Sequence, residues 1–173
     1  VVAAPRDEFC SLHGMGEAKF VQLQATVEIA RRALASEMAE RPLLNSPDIV
    51  KDYLRLSLGH ERVEVFAALW LDAQHRLIEM QTLFRGTLAQ TSVYPREVVR
   101  AALAKNAAAV ILAHNHPSGS TQPSQADRSL TRVLKDALAL IDVAVLDHCI
   151  VGATEAATQG AMPVRSMAMM GEL

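Results

Sequence analysis

The feature that most constrains the fold is a continuous apolar run that ends in two histidines. Residues 107–113 read Ala-Ala-Ala-Val-Ile-Leu-Ala and lead directly into His114-Asn115-His116. An uninterrupted apolar run of this length is typical of a strand buried on both faces, and such strands lie in sheets that helices cover on both sides. The chain is therefore expected to fold as an α/β protein.

The sequence around this run alternates strand and helix signals. Residues 64–71 and 77–84 predict two strands joined as a hairpin, and residues 143–151 predict a further strand. Helices are predicted at 46–58, at 95–105 and at 123–141, each with a proline near its start. We expect a mixed sheet flanked by helices.

An N-terminal helical stretch precedes this α/β pattern. Apolar residues recur every three or four positions along one predicted helix: Phe20, Leu23, Val27, Ala30, Leu34 and Met38. A glycine turn at 14–16 comes before that helix, and the proline-rich linker at 41–47 follows it. Three segments are predicted: a helical one at 1–42, the α/β domain at 43–152 and a C-terminal tail at 153–173.

Composition limits the classes of protein to consider. The chain has 173 residues, of which 50% are hydrophobic, enough for one well-buried core and a small appendage. Its formal net charge of -2 gives no electrostatic support for nucleic-acid binding. The two cysteines form no CxxC pair, which argues against a disulfide scaffold and for a cytoplasmic setting. No segment is typical of a signal peptide or membrane span, and the first residue, a valine, indicates a fragment.

The residues after the apolar run carry groups that bind metals. His114 and His116 point to the same side of an extended strand. Ser124 and Asp127 lie three apart, on one face of the first turn of the next predicted helix. If that turn folds back over the strand end, two nitrogens and one carboxylate converge and leave a fourth position for water. This is the layout of a catalytic Zn²⁺ site, where the metal lowers the pKa of water toward about 7.

Each part of this pattern also has a plain structural interpretation. Two histidines separated by one residue are a weak signal, because buried histidines are often only hydrogen-bonded core residues. Ser124 and Asp127 also match a capping box. Pro123 prefers the first helical position, which would place Ser124 inside the helix and not at its cap. We therefore favour the ligand interpretation for the whole string.

The spacing of these residues resembles a known motif. His114-x-His116, seven residues, Ser124, two residues and Asp127 match the JAMM metalloprotease motif without a gap. The wider sequence is similar to bacterial RadC-like proteins, which carry a JAMM/MPN domain after a helix-hairpin-helix segment. Segments that carry the likeness are 66–72, 74–78, 86–87, 94–100, 113–119 and 145–148.

The resemblance implies a fold, a metal site and an activity. The fold would be similar to that of cytidine deaminases, and His114, His116 and Asp127 would bind zinc. Glu64 would be the acid/base, with Glu61 as its competitor, and Ser124 would donate to the oxyanion. JAMM relatives cut peptide or isopeptide bonds, which makes an unidentified peptide or protein the expected substrate. The RadC-like branch has been called a DNA repair family, but its motifs establish no substrate.

The resemblance also implies that residues 1–42 are part of a helix-hairpin-helix. Its loop would present Gly14, Gly16 and Lys19 to a DNA phosphate. The alternative is an ordinary glycine turn between packed helices, which the charges favour, since residues 1–42 carry five basic and six acidic side chains. A DNA-associated adaptor with a structural or vestigial zinc site is thus the alternative function.

Four other features of the sequence bear on the site and its surroundings. A zinc deaminase is rejected, because that chemistry uses HxE and CxxC and this chain has neither. His148 is either an outer partner of the site or, in the preferred interpretation, a hydrogen-bonded strand histidine. Asn115 points away from the imidazoles and is given no catalytic role. The methionine-rich end departs from the family and is interpreted as disordered, in preference to a core edge or a contact surface.

Overall fold

The computed structural model describes residues 4–43, 46–86, 93–153 and 163–173. The helices among them are α1 (Arg6–Ser11), α2 (Glu17–Glu40), α3 (Pro47–Leu58), α4 (Pro95–Ala104) and α5 (Gln125–Ala139). The strands are β1 (Val65–Leu71), β2 (Leu77–Arg85), β3 (Ala109–His116), β4 (Ala144–Gly152) and β5 (Val164–Ser166). All of the strands predicted from the sequence are present within three residues of their predicted bounds.

The strands form one sheet in the order β2-β1-β3-β4-β5. Only the β3–β4 pair is parallel among the pairs described, and α5 connects these two strands. The mixed sheet flanked by helices is therefore confirmed. Because β3 is central and parallel to β4, its carboxyl end meets the start of α5, the kind of place where α/β proteins bind ligands.

The central strands β1 and β3 are buried on both faces of the sheet, as their apolar sequences predict, whereas the edge strand β2 is largely exposed or half-buried. On one face, Leu69 packs in a core that includes Met38 of α2 and Tyr53 of α3. On the other face, Trp70 packs with residues of α4 and α5, including Leu134. The indole N–H of Trp70 donates to Gln81 Oε1 at 3.0 Å, so this buried polar group is satisfied.

The N-terminal helices form a hairpin around the glycine turn. Gly14 has φ +77°, a backbone conformation that glycine adopts without steric cost. Met38, near the end of α2, is 1% exposed and belongs to the same core as α3. The end of α2 is thus tied to the main core by apolar packing, and the boundary at residue 42 stays a prediction.

The expectation of a disordered C-terminal segment is wrong for residues 163–173. β5 pairs antiparallel with β4, with Cys149 opposite Ser166. Met167 is fully buried, whereas Met169 is largely exposed. The physical reason is that β5 covers the edge of β4, and a flexible methionine fills the adjoining core. Met162 and the rest of 154–162 lie outside the described residues.

The expected start of α5 is also wrong. Pro123 does not begin the helix; Ser124 is its N-cap, and the helical residues start at Gln125. The Ser124 side chain accepts from the Asp127 backbone N–H while the Asp127 side chain accepts from the Ser124 backbone N–H. This reciprocal pair satisfies two amides that a helix start otherwise leaves unpaired, which outweighs the preference of proline for the first position.

Among the described residues, no helix has both the length and the apolarity that crossing a bilayer requires.

Candidate metal centre and cleft

The candidate ligands meet where β3 ends and α5 begins. His114 Nε2 lies 2.9 Å from His116 Nε2 and 3.3 Å from Asp127 Oδ1, and His116 Nε2 lies 3.7 Å from Asp127 Oδ2. One ligand atom from each residue falls within 4.8 Å of the others. Zinc binds imidazole nitrogens and carboxylate oxygens. Three protein ligands of these types match a catalytic zinc site, which keeps its fourth position open for water or substrate.

The protonation of His116 follows from its backbone partner. Its Nδ1 lies 2.8 Å from the carbonyl oxygen of Ser120, which can only accept a hydrogen bond. Nδ1 therefore carries the proton of the neutral ring, and Nε2 presents its lone pair toward His114 and Asp127. This lone pair and the nearby carboxylate of Asp127 repel each other, and a cation between them would stabilise both. The residues therefore fit a metal ion.

The capping box also orients the carboxylate of Asp127. Ser124 donates to Asp127 Oδ2 from its backbone N–H and from its hydroxyl, both at 2.7 Å, while Oδ1 faces His114. Burial raises the pKa of Asp127, but the Ser124 hydrogen bonds and the attraction to His114 outweigh it, so the pKa is lowered overall. Asp127 is therefore both a member of the capping box and a candidate ligand, and it is ionised.

His114 is enclosed by the sheet and by α5. It is 5% exposed, and its ring stacks against Phe66 of the neighbouring strand with centroids 6.3 Å apart. Burial lowers the pKa of His114 to about 4, with attraction to Asp127 acting in the opposite direction. The ring is therefore neutral near pH 7, which is the state that binds a metal.

The strand register brings Glu64 to the same site. β1 and β3 are antiparallel with Phe66 opposite His114, so two residues farther along Glu64 falls beside His116 on the same face. Glu64 Oε1 lies 3.9 Å from His116 Nε2. Glu61, the competing candidate, is instead bound to Arg85 at 2.8 Å and 2.9 Å. The structure thus brings Glu64, and not Glu61, to the candidate ligands.

A cleft of about 490 Å³ opens over these groups. Its floor is polar, with His114, His116, Asp127, Ser124 and Glu64, and one wall is apolar, with Phe66, Val93, Ala126 and Leu130. A concave site with converging polar groups and an apolar wall is typical of a pocket that orients a ligand.

A comparison with known families agrees with this geometry. The family model for the RadC-like JAB domain matches residues 44–160, which include every strand from β1 to β4 and the three candidate ligands. The chain belongs to the RadC-like JAB domain family. The likeness to cytidine deaminases stays a prediction.

Relatives of this RadC-like JAB domain occur in several bacteria. A UPF0758 protein of Leptothrix cholodnii is 64% identical over 142 residues, covering 82% of this chain and 64% of that protein. A UPF0758 protein of Nitrosomonas eutropha is 60% identical over 153 residues, covering 88% and 68%. The chain thus spans 64% and 68% of the lengths of these two relatives.

Sequence reasoning underestimated Asn115 in the RadC-like JAB domain. Its side chain lies on the face opposite the imidazoles, where Oδ1 accepts from the Val65 backbone N–H at 2.8 Å. Nδ2 donates to the carbonyls of Val63 at 3.0 Å and Glu61 at 3.2 Å. Asn115 therefore ties the segment that bears Glu64 to the strand that bears the ligands. The signal was a polar residue inside a buried strand, which must find partners.

We expect Asn115→Ala to destabilise the protein by about 1–3 kcal/mol, because it leaves the Val65 N–H unpaired. Asn115→Asp keeps the acceptor but sets a carboxylate oxygen against two carbonyls, so it should be at least as destabilising. Urea unfolding of both variants measures the loss. Surface substitutions usually change the free energy of unfolding by less than about 0.5 kcal/mol. A change that small for Asn115→Ala would contradict a stabilising role for its hydrogen bonds.

Two of the predicted DNA-binding residues, Gly14 and Gly16, lie in the turn between α1 and α2, and the third, Lys19, lies in the first turn of α2. Lys19 Nζ donates to the carbonyl of Gly14 at 2.7 Å, which closes the turn. Gly16 is the N-cap of α2 and no side chain caps that helix start. None of the three is among the residues that line the cleft. The helix-hairpin-helix assignment and DNA binding stay predictions.

Proposed function

We propose that this domain is a zinc-dependent hydrolase of JAMM type that cleaves a peptide or isopeptide bond with a water molecule. The observation that carries the proposal is the convergence of two imidazoles and one carboxylate, within 4.8 Å of one another, in the lining of an open cleft. When bound, a zinc ion would supply Lewis acidity that lowers the pKa of water toward about 7.

The side chains around the ligands have distinct proposed roles. Glu64 is 43% exposed at the cleft and close to His116, so it would take a proton from the attacking water and give it to the leaving amine. The apolar wall, with Val93 and Leu130, would hold a substrate side chain and exclude water from one side of the scissile bond. His114, His116 and Asp127 would hold the metal.

Ser124 is proposed as the hydrogen-bond donor to the oxyanion, but its hydroxyl already has another acceptor. Its hydroxyl donates to Asp127 Oδ2 at 2.7 Å, so it must turn toward the substrate to serve the oxyanion. The backbone N–H of Ser124 donates to the same oxygen and would keep Asp127 oriented during that movement.

Metal analysis of the purified protein, followed by a cleavage screen, tests the proposal. We expect about one zinc per chain, and hydrolysis of some members of a peptide and isopeptide panel that stops on chelation and returns on reloading. The analysis must include iron, because two histidines and one carboxylate also hold Fe(II) in oxygenases. A metal-free protein that zinc cannot reload would refute the proposal.

A DNA-associated adaptor is a second candidate, because the start of α2 has no side-chain cap and its first backbone N–H groups can meet a phosphate. It predicts binding to branched or nicked DNA that weakens with salt and is lost in Lys19→Glu. Fluorescence anisotropy at low salt measures this, and absence of binding there removes the candidate.

A further inference from the structure

A buried hydrogen-bonded chain runs from the candidate ligand His114 away from the cleft. His114 Nδ1 lies 2.8 Å from His148 Nε2, and His148 Nδ1 lies 2.6 Å from the hydroxyl of Thr131. His148 is 0% exposed and Thr131 is 2% exposed, so neither group has water as a substitute partner. The hydrogen-bonded chain links β3, β4 and α5. It includes His148, for which the sequence left an outer-partner role open, and Thr131, which had no sequence signal.

The Thr131 hydroxyl sets the direction of this chain. It lies 2.6 Å from the backbone carbonyl of Asp127, one turn earlier in α5, and a hydroxyl has a single hydrogen to donate. If that hydrogen goes to the carbonyl, His148 Nδ1 must donate to Thr131, and His148 Nε2 then accepts from His114 Nδ1. His114 Nε2 is left with its lone pair facing His116 and Asp127.

We infer that Thr131 and His148 are positioning residues that select the metal-binding tautomer of His114. Histidines that bind metals commonly donate their second N–H to a carboxylate or a carbonyl, and here a second histidine takes that place. The chain begins at the ring of one candidate ligand and ends on the backbone of another, Asp127, so it also fixes α5 against β3. The inference rests on the proposed function, because it requires a bound metal.

The hydrogen-bonded chain can also run in the opposite direction. In that arrangement Thr131 donates to His148, His148 Nε2–H donates to His114 Nδ1, and His114 Nε2–H points at His116, 2.9 Å away. This arrangement gives the ring nitrogens hydrogen-bond partners without a metal, but it takes the Thr131 hydrogen away from the Asp127 carbonyl, and the lone pair needed for a metal is gone. A bound metal requires the first arrangement, in which the Thr131 hydroxyl must accept the His148 N–H, so loss of the hydroxyl should weaken metal binding as well as the fold, an effect that a merely structural role would not produce.

Zinc affinity of Thr131 variants tests the inference. Thr131→Val keeps the shape of the side chain but leaves the His148 N–H unpaired in the loaded state. We expect a 10–100-fold weaker zinc Kd by competition with a chelator, the usual effect of losing an outer partner of a metal-binding histidine. Thr131→Ser retains the hydroxyl and should stay near wild type. The urea midpoint of metal-free Thr131→Val should fall, because a buried nitrogen of His148 loses its partner there too, and the zinc Kd, which compares loaded with metal-free protein, reports the additional loss on metal binding.

Thr26→Val is the matched control. The Thr26 hydroxyl donates to the carbonyl of Gln22, one turn earlier in α2, at 2.8 Å, but it does so at an exposed position. Long-range ¹H–¹⁵N spectra of the zinc-loaded protein should show His114 and His148 both protonated at Nδ1. Wild-type affinity in Thr131→Val, or a proton on His148 Nε2, would overturn the inference while leaving zinc binding intact. Zinc binding with the expected variant effects but no peptide cleavage would instead count against the proposed function alone.

Discussion

Asp127→Asn is expected to abolish zinc binding while leaving the fold intact. The amide oxygen of asparagine can still accept from the Ser124 backbone N–H, so the cap of α5 survives. The amide nitrogen would take the place of Oδ1, where it donates to the lone pair of His114 and offers nothing to a cation. The zinc Kd should rise by more than the roughly 10–100-fold that loss of an outer partner costs, measured by chelator competition and by metal content.

Two further variants make this result specific. Asp136→Asn removes an exposed carboxylate from the same helix and should leave zinc content at the wild-type level. Asp127→Ala removes both the ligand and the Asp127 half of the capping box, so it should lose zinc and also about 1 kcal/mol of unfolding free energy. Retention of stoichiometric zinc by Asp127→Asn would exclude this carboxylate as a ligand.

Glu64→Gln is expected to keep the metal and lose the chemistry. Glutamine is nearly the same size as glutamate but cannot take a proton from water at neutral pH. Removal of a general base usually lowers the rate by about 10²–10⁴-fold, and we expect a decrease of that size in kcat for any peptide that the zinc-loaded domain cleaves. Steady-state kinetics on that peptide, with metal content measured on the same sample, gives both quantities.

Glu61→Gln is the matched control for this experiment. Glu61 precedes Glu64 by one short loop, but its carboxylate is bound to Arg85 and does not line the cleft. The control should lose some stability and keep most of its activity. An equal loss of activity in both variants would show that Glu64 acts through the shape of the loop and not as a base.

Much of the fold followed from the sequence because it depends on local patterns. The apolar run at 107–113 predicted a buried central strand, and the prolines at 47 and 95 marked the helix starts. The candidate ligands were also predictable, because one residue between two histidines in a strand and three residues between Ser124 and Asp127 fix which side chains share a face. Such relations need only the geometry of one element.

The remaining features depend on elements that are distant in the chain. The resemblance already favoured Glu64 over Glu61, but only the register between β1 and β3 brings Glu64 beside His116. The roles of His148 and Thr131 came from the packing of β4 and α5 on β3. The buried position of Met167 depends on the pairing of β5 with β4. The sequence by itself determined which side chains share one face of a strand or helix, and only the tertiary structure decided which faces meet, because hydrogen bonds and packing between distant segments have no local signature.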